Sequence, residues 1–521
     1  MKIIREIWRK MGAFLMLGVL GVSGCIAPKA AGNNSEDQVE TLQISCLLEQ
    51  FSDELPDISN AWMEEFQKRY GVKLVLKGIP TLTFSERFSY QILSSDEPPT
   101  IVMINNSIEN TALFRKMILA DKFWCLDDYI ENFPNLIRYI GEESFQNIKI
   151  EGKLYGIPRK RILPRYTGYY RKDWADRLGI AAPQNQEELY EMLERFVTED
   201  PDGNGQDDTI GVVGCLSALS NTACNGMQLL TVMNGGPNGW RFEDSKMFPD
   251  FESDAWKEML DYFRKLYQNG ILNQDFAVIN AEQRREAITN DKTGMIFGVI
   301  DDVAQLESEL KKKNPQAQLE LLPVLESQKD GQKRLNSTSG NNGMILFTKQ
   351  GRNAVKTEEE LKKILGILDL MCTKEEQNFL LNGIENVNYT VNQQGEKIAI
   401  LGGQNGTTVL EEMQKDFVQV LPVMGYQRLN ENPQWTSRID QEILDRNLYL
   451  VRDDSIGLFS ETYVEKRTEL DQIIQKACIR YIIGEIDREE YEQAYEQWYK
   501  EGGKDVIQEY TDEYKKKTYK Q

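Results

Sequence analysis

Thr41-Leu-Gln-Ile-Ser-Cys-Leu-Leu48 reads as an apolar strand, Ile58-Ser-Asn-Ala-Trp-Met-Glu-Glu-Phe-Gln-Lys-Arg-Tyr70 as a helix, and Val72-Lys-Leu-Val-Leu76 as a strand of alternating character. Asp57 is placed to cap the helix and Gly71 to end it. A second helix follows around Glu86 to Ser94, and Pro98-Pro99 leads into an apolar strand from Thr100 to Ile104. Strands separated by helices of this length require crossover connections, so the sheet is predicted to be parallel. Ligands of such sheets sit beyond the C-terminal strand ends, which here are Glu49 to Phe51 and Asn105-Asn106.

The same idiom returns further along. Thr167 to Tyr170 is a short β-type run followed by a helix to Leu178 that Gly179 ends. Trp256, Met259, Leu260, Phe263, Leu266 and Tyr267 recur at helical spacing and read as core. Gly294 to Val299 and Met344 to Phe347 read as buried strands, and beyond residue 355 helices dominate to the C-terminus. With 521 residues, 40% of them hydrophobic, the chain has enough apolar surface for two cores.

The 82 acidic and 61 basic side chains give a net charge of −21, the wrong sign for holding a phosphate backbone, so nucleic acid is not expected as a partner. The absence of histidine removes the usual general base and every Ser/His/Asp or Cys/His triad. At the N-terminus, Lys2, Arg5, Arg9 and Lys10 precede a short apolar run from Met11 to Val22, the pattern of a signal peptide over residues 1–24. Val22-Ser-Gly-Cys25 resembles a bacterial lipobox, which makes Cys25 the expected lipidated residue. Residues 25–40 then read as the acylated end and a flexible tether, so the protein is expected on the extracytoplasmic face of the cell membrane. The other six cysteines are dispersed and read mainly as buried free thiols, with Cys215 and Cys224 the pair to test for a disulfide.

Five stretches together resemble a known family: Glu151-Gly-Lys-Leu-Tyr-Gly-Ile-Pro158; Tyr169-Tyr-Arg-Lys-Asp-Trp174; Asp200-Pro-Asp-Gly-Asn-Gly-Gln-Asp-Asp-Thr209; Gly383-Ile-Glu-Asn-Val-Asn-Tyr-Thr390; and Ile483-Gly-Glu-Ile-Asp-Arg-Glu-Glu-Tyr491. In order and spacing they are similar to the extracellular solute-binding proteins of ABC-type sugar importers, in particular the large lipoproteins related to maltose-binding protein. Asn386 departs from the pattern, which usually has a second glycine there. The resemblance implies an α/β, two-lobed, periplasmic-binding-protein-like (type II) fold with a helix-rich C-terminal extension. Its crossings are expected near Ile157 to Arg165, Ala277 to Ile288 and Asn336 to Gly343. That gives an N-lobe of residues 41–157 plus 289–340 and a C-lobe of 158–288 plus 341–521. It also implies a monomer that closes on a small carbohydrate and presents it to membrane permease subunits.

Asp200, Asp202, Asn204, Gln206 and Asp208 occupy positions 1, 3, 5, 7 and 9 of a calcium loop, although Gly211 stands where the usual bidentate glutamate would be. Some members of the resembled family hold Ca²⁺ structurally in such a loop. Sugars are held by rings against their C–H faces and by planar polar groups on their hydroxyls, and the acidity of the chain suggests a neutral ligand. The candidates are Tyr166, Trp240, Asn105, Asn106, Asp301, Asp302, Asn341 and Asn342, with Glu385 and Tyr389 from the family-like loop. No catalytic residue is assigned. The competing readings are a carboxylate-based glycoside hydrolase and a peptide-binding surface lipoprotein.

Overall fold

The structure is a computed structural model that describes residues 41–105, 111–214, 226–402, 407–423 and 433–519. Cys25, Asn106, Cys215 and Cys224 therefore lie outside the described residues. From Leu42 to Gln521 the chain is one compact unit, and within it are two separate sheets.

In the first sheet, β1 (Leu42–Gln50) runs parallel to β2 (Val72–Pro80) in unbroken register from Leu42↔Val72 to Gln50↔Pro80. It also runs parallel to β3 (Ile101–Ile104). The order β2-β1-β3-β12-β4 is completed by β12 (Asn341–Phe347), antiparallel to β3 and to β4 (Gly156–Lys160). Gly156 is required here, since a Cβ would lie 2.7 Å from the Ile345 carbonyl. The first helix begins at Ala61, later than expected, because Asn60 and not Asp57 accepts from the Met63 N–H. Asp57 instead folds onto Ser59, taking its N–H at 2.9 Å and its hydroxyl at 2.6 Å, a local Asx turn that competes with helix entry.

The second sheet has the order β10-β5-β9-β6, from β5 (Tyr166–Arg171), β6 (Ile210–Val213), β9 (Thr293–Val299) and β10 (Leu319–Leu321). Its pleat sends Tyr170, Met295 and Phe297 into one core and Tyr169, Ile296 and Ile300 into another. Three small pairs complete the strands: the hairpin β7 (Trp240–Glu243) with β8 (Lys246–Pro249), β11 (Leu335–Asn336) with β15 (Leu450–Val451), and β13 (Tyr389–Val391) with β14 (Lys397–Ala399).

Two of the expected lobe segments exchange places. The strand 293–299, assigned from the sequence to the N-lobe, pairs with β5 and β6 in the second sheet. The strand 341–347, assigned to the C-lobe, pairs with β3 and β4 in the first. Hydrophobicity cannot distinguish the two sheets, because both strands are buried on both faces. The segment from Ala277 to Ile288 is not a crossing either, since Phe276 and Ile288 both belong to cores of the second sheet. The chain leaves the first sheet at 161–165 and returns at 337–340. Helices from Glu358 to Val423 pack on the first core, and Trp435 onward belongs to the second.

The C-terminal helices Glu461–Ile482, Arg488–Trp498 and Lys504–Tyr519 bury Leu470, Ile474, Tyr491, Trp498 and Val506 in the second core. The family-like stretch ending at Tyr491 is a helix start: Asp487 and Glu490 form a reciprocal capping box.

Candidate functional site

Both sheets present strand ends to the segments 161–165 and 337–340. On the first sheet the shared end carries Gln50 and Phe51 after β1, Pro80 after β2, Asn105 after β3, and Lys160 paired with Asn341. On the second it carries Tyr166 paired with Val299, then Ile300 and Asp301, with the Ile300 N–H bonded to the Arg165 carbonyl at 2.9 Å. Five residues, 161–165, separate Lys160 of one sheet from Tyr166 of the other.

Six of the nine expected ligand contacts that are described fall on these ends. Asn105 donates from Nδ2 to Glu49 Oε2 at 2.8 Å. Asn342 offers its carbonyl to Arg159 Nη1 at 3.0 Å, and Asn341 lies beside it at the start of β12. Gly343 makes this close approach possible, with φ of +79° and no room for a Cβ against the Ile104 carbonyl. Asp301 forms a two-pronged ion pair with Arg165, at 3.0 Å from Nε and 2.7 Å from Nη2. Burial, and then neighbouring Asp301, hold the Asp302 carboxyl above the usual range. Tyr166 is half-buried at the start of β5.

The remaining three are elsewhere. Trp240 opens the β7 hairpin, and its ring packs edge-on against Tyr510 at 5.1 Å and near Trp498 at 6.4 Å, so the structure gives that indole a packing role in the second core. Tyr389 is buried under Lys397, which stands 4.9 Å from its ring, and Glu385 bridges to it across the turn. That turn needs a left-handed residue at Asn386, φ +61°, which asparagine supplies where the family pattern has glycine.

Several charged groups outside the expected contacts also stand at the junction. Glu49 is 4% exposed, and its carboxyl is raised chiefly by burial. Asp416 ties the turn after β1 through the N–H groups of Phe51 and Ser52 and the Ser52 hydroxyl. Arg159 sits one residue from the end of β4. The signal was present in Arg159-Lys-Arg161, a basic run at the crossing of an acidic chain. A cavity of about 470 Å³ lies elsewhere, against β10 and the helix Pro433–Arg446. Six of its charged side chains pair with one another, as Lys172–Asp176, Arg438–Glu320 and Arg446–Glu442.

Two separate sheets thus present polar strand ends to the segments that join them. The profile of the bacterial extracellular solute-binding proteins matches residues 61–359, more than half of the chain. The chain belongs to that family. This solute-binding protein is 29% identical over 503 residues to the lipoprotein LipO of Bacillus subtilis (strain 168), covering 96% of this chain and 97% of LipO. It is also 29% identical over 521 residues to the polygalacturonan/rhamnogalacturonan-binding protein YtcQ of the same organism, covering 98% and 99%. Its fold resembles that of the ABC-transporter substrate-binding protein FusA of Streptococcus pneumoniae, solved in complex with kestose, with a TM-score of 0.67 at 17% identity over 92% and 100% of the two chains. An EF-hand mutant of FusA has also been solved.

In this solute-binding protein the acidic loop is exposed and folded on itself. Asn204 Nδ2 donates to Asp202 Oδ2 at 2.8 Å and Asp208 Oδ1 at 3.0 Å, while Asp200 accepts from the N–H groups of Asn204 and Gly205. Asp208 is further paired with Lys292 at 2.6 Å. Burial and the nearby Asp200 raise the Asp202 carboxyl. Among the described residues no three acidic, cysteine or histidine side chains are arranged to hold a metal ion. The donors still have the chemistry for Ca²⁺: all are oxygens, and the neutral Asn204 amide now places N–H donors between two carboxylates, where its own oxygen would stand if the amide turned over. The thiols of Cys46 and Cys478 are buried, free and pushed up to about 12 by burial, which makes them inert packing groups.

Proposed function

We propose that this protein captures an oligosaccharide between its lobes on the outer face of a bacterial membrane and hands it unchanged to the permease of an ABC transporter. The observation that carries this reading is the convergence of Asn105, Asn341 and Asn342 from one sheet with Tyr166, Asp301 and Asp302 from the other at a pair of short crossings. A ligand touching both sets favours the shut arrangement by its extra contacts there. The names of YtcQ and of FusA, a fructooligosaccharide transporter component, support a glycan as the ligand. The lobes in this reading are residues 42–160 with 341–423, and 166–336 with 435–519. Asn106 joins the contacts by its place after Asn105.

A melting screen of glycans against peptides tests the reading. A ligand at 100 times its dissociation constant stabilises by about 2.7 kcal/mol, which shifts the transition visibly. Glycans are expected to shift it and to be recovered intact. Stabilisation by peptides alone favours the peptide-receptor reading, and fragmented glycan favours a hydrolase.

Lipid anchoring through Cys25 predicts that Cys25→Ser moves the protein from the membrane to the soluble fraction. Unchanged fractionation would remove the anchor from the account. Calcium, held by side chains of Asp200, Asp202, Asn204 and Asp208 and the Gln206 carbonyl, would clip the 200–208 loop. Chelation should then lower the melting temperature, and Asp202→Ala should abolish that response. Elemental analysis without calcium, together with indifference to chelator, would make the loop a plain turn.

A further inference from the structure

Resting on the sugar-binding reading, we propose that the bound oligosaccharide is acidic and that a uronate carboxylate of it docks on the guanidinium of Arg159. Arg159 lies at the polar end of β4, half-buried, beside Asn342 and within the Coulomb reach of Glu49. Its Nη1 donates to the Asn342 carbonyl at 3.0 Å and rests 3.2 Å from Met103 Sδ. No carboxylate among the described residues comes within 4 Å of it. Its Nε and Nη2 are left for a partner from outside the described chain.

The neighbouring charges are already committed. Arg165 holds Asp301 with both prongs. Arg284 is buried on the Phe297 carbonyl, and Lys160 is turned onto the Tyr139 carbonyl. Arg161 donates to the Lys160 carbonyl at 3.1 Å and has a further interaction. On the acidic side, Asp416 is consumed by the Phe51–Ser52 turn and Gln419, and Glu49 by the Asn105 amide. Among the described residues Arg159 thus has no carboxylate in direct contact, and Glu49 acts on it only through space. Burial and the proximity of Arg161 push its pKa down to about 9, a cost that an incoming anion would offset.

A guanidinium presents parallel N–H groups at the spacing of a carboxylate, and such charge-assisted pairs are about twice as strong as neutral hydrogen bonds. A neutral sugar could accept the same hydrogens with its hydroxyls but would leave the charge uncompensated. The net charge of −21 does not decide the matter, because exposed charges beyond roughly 8–10 Å are screened at physiological salt. The expectation of a neutral ligand drawn from overall composition therefore gives way to the local geometry. Asn342, whose carbonyl Arg159 holds, and Asn105 at the end of β3 are amides at the same sheet end suited to ring hydroxyls.

The test is calorimetry on the whole mature protein with a panel of oligogalacturonates and oligomannuronates, their fully methyl-esterified forms, and neutral gluco- and fructo-oligosaccharides. At least one acid is expected to bind at least ten-fold more tightly than its own ester, with the difference shrinking as salt rises. Arg159→Gln, which can keep the bond to the Asn342 carbonyl, should bring acid and ester within two-fold at an unchanged melting temperature, and Arg159→Lys should restore part of the preference. Binding of neutral or esterified glycans with no acid preference overturns this inference and leaves the sugar-binding reading intact. An acid preference that survives in Arg159→Gln also overturns it. Binding of no glycan at all removes both readings.

Discussion

Arg171→Ala is expected to destabilise the second lobe by about 1.5–3 kcal/mol, because it removes charged hydrogen bonds to two half-buried carboxylates, Asp173 and Asp291. Arg171 is 0% exposed. It grips Asp173 at 2.9 and 2.6 Å, reaches Asp291 with its remaining nitrogen, and lies 4.4 Å over the Trp174 ring. One side chain thus fastens the end of β5, the following helix and the turn before β9, which explains why arginine stands in Tyr169-Tyr-Arg-Lys-Asp-Trp174. Arg171→Met keeps much of the volume and should be nearly as damaging. Adding Asp291→Asn to Arg171→Met should recover part of the loss, since it removes one of the stranded charges. Urea unfolding followed by tryptophan fluorescence reads this out. A loss below about 1 kcal/mol, typical of an exposed pair, would show that the network is not closed to water.

The second large effect depends on pH. Asp250 is buried and Asp453 half-buried near Gly239, and burial followed by the charge of Asp453 pushes Asp250 up to about 8. Asp453 rises to about 6, again mainly through burial, although the Ser455 hydroxyl and N–H hold it at 2.7 and 2.8 Å. An unfolded aspartate loses its proton near 3.9, so between about pH 4 and pH 8 the folded state keeps a proton that the unfolded state has released. That contribution is complete below the unfolded pKa and is lost as pH rises through the folded one. Asp250→Asn cannot ionise. It should therefore raise the melting temperature clearly at pH 8 and by much less at pH 5. An equal shift at both values would mean that Asp250 does not keep a proton in the folded protein.

The sequence carried the strands and helices further than it carried their assembly. Asn60, Gly71 and the alternation of Val72, Leu74 and Leu76 are local signals, and the first βαβ unit follows from them within a few residues. The allegiance of strands 293–299 and 341–347 was not legible, because a strand buried on both faces has no pattern that says which sheet it joins. Only pairing over long sequence separation decides that. At the site, Asn105, Asn341, Asn342, Tyr166 and Asp301 were readable as residues next to strand ends. Trp240 misled for a physical reason: its partners Trp498 and Tyr510 come from helices far along the chain, so a ring in a glycine-rich loop looked unpacked. Arg159 was visible in the sequence, but its lack of a carboxylate partner is a fact of three dimensions.

Small-angle scattering of the mature protein, with and without a saturating glycan found in the melting screen, tests the clamp most directly. Two lobes with separate cores joined by short crossings should move as bodies, so the account predicts a smaller radius of gyration in the bound state, with secondary structure unchanged. A scattering profile identical with and without a tightly bound glycan would contradict it.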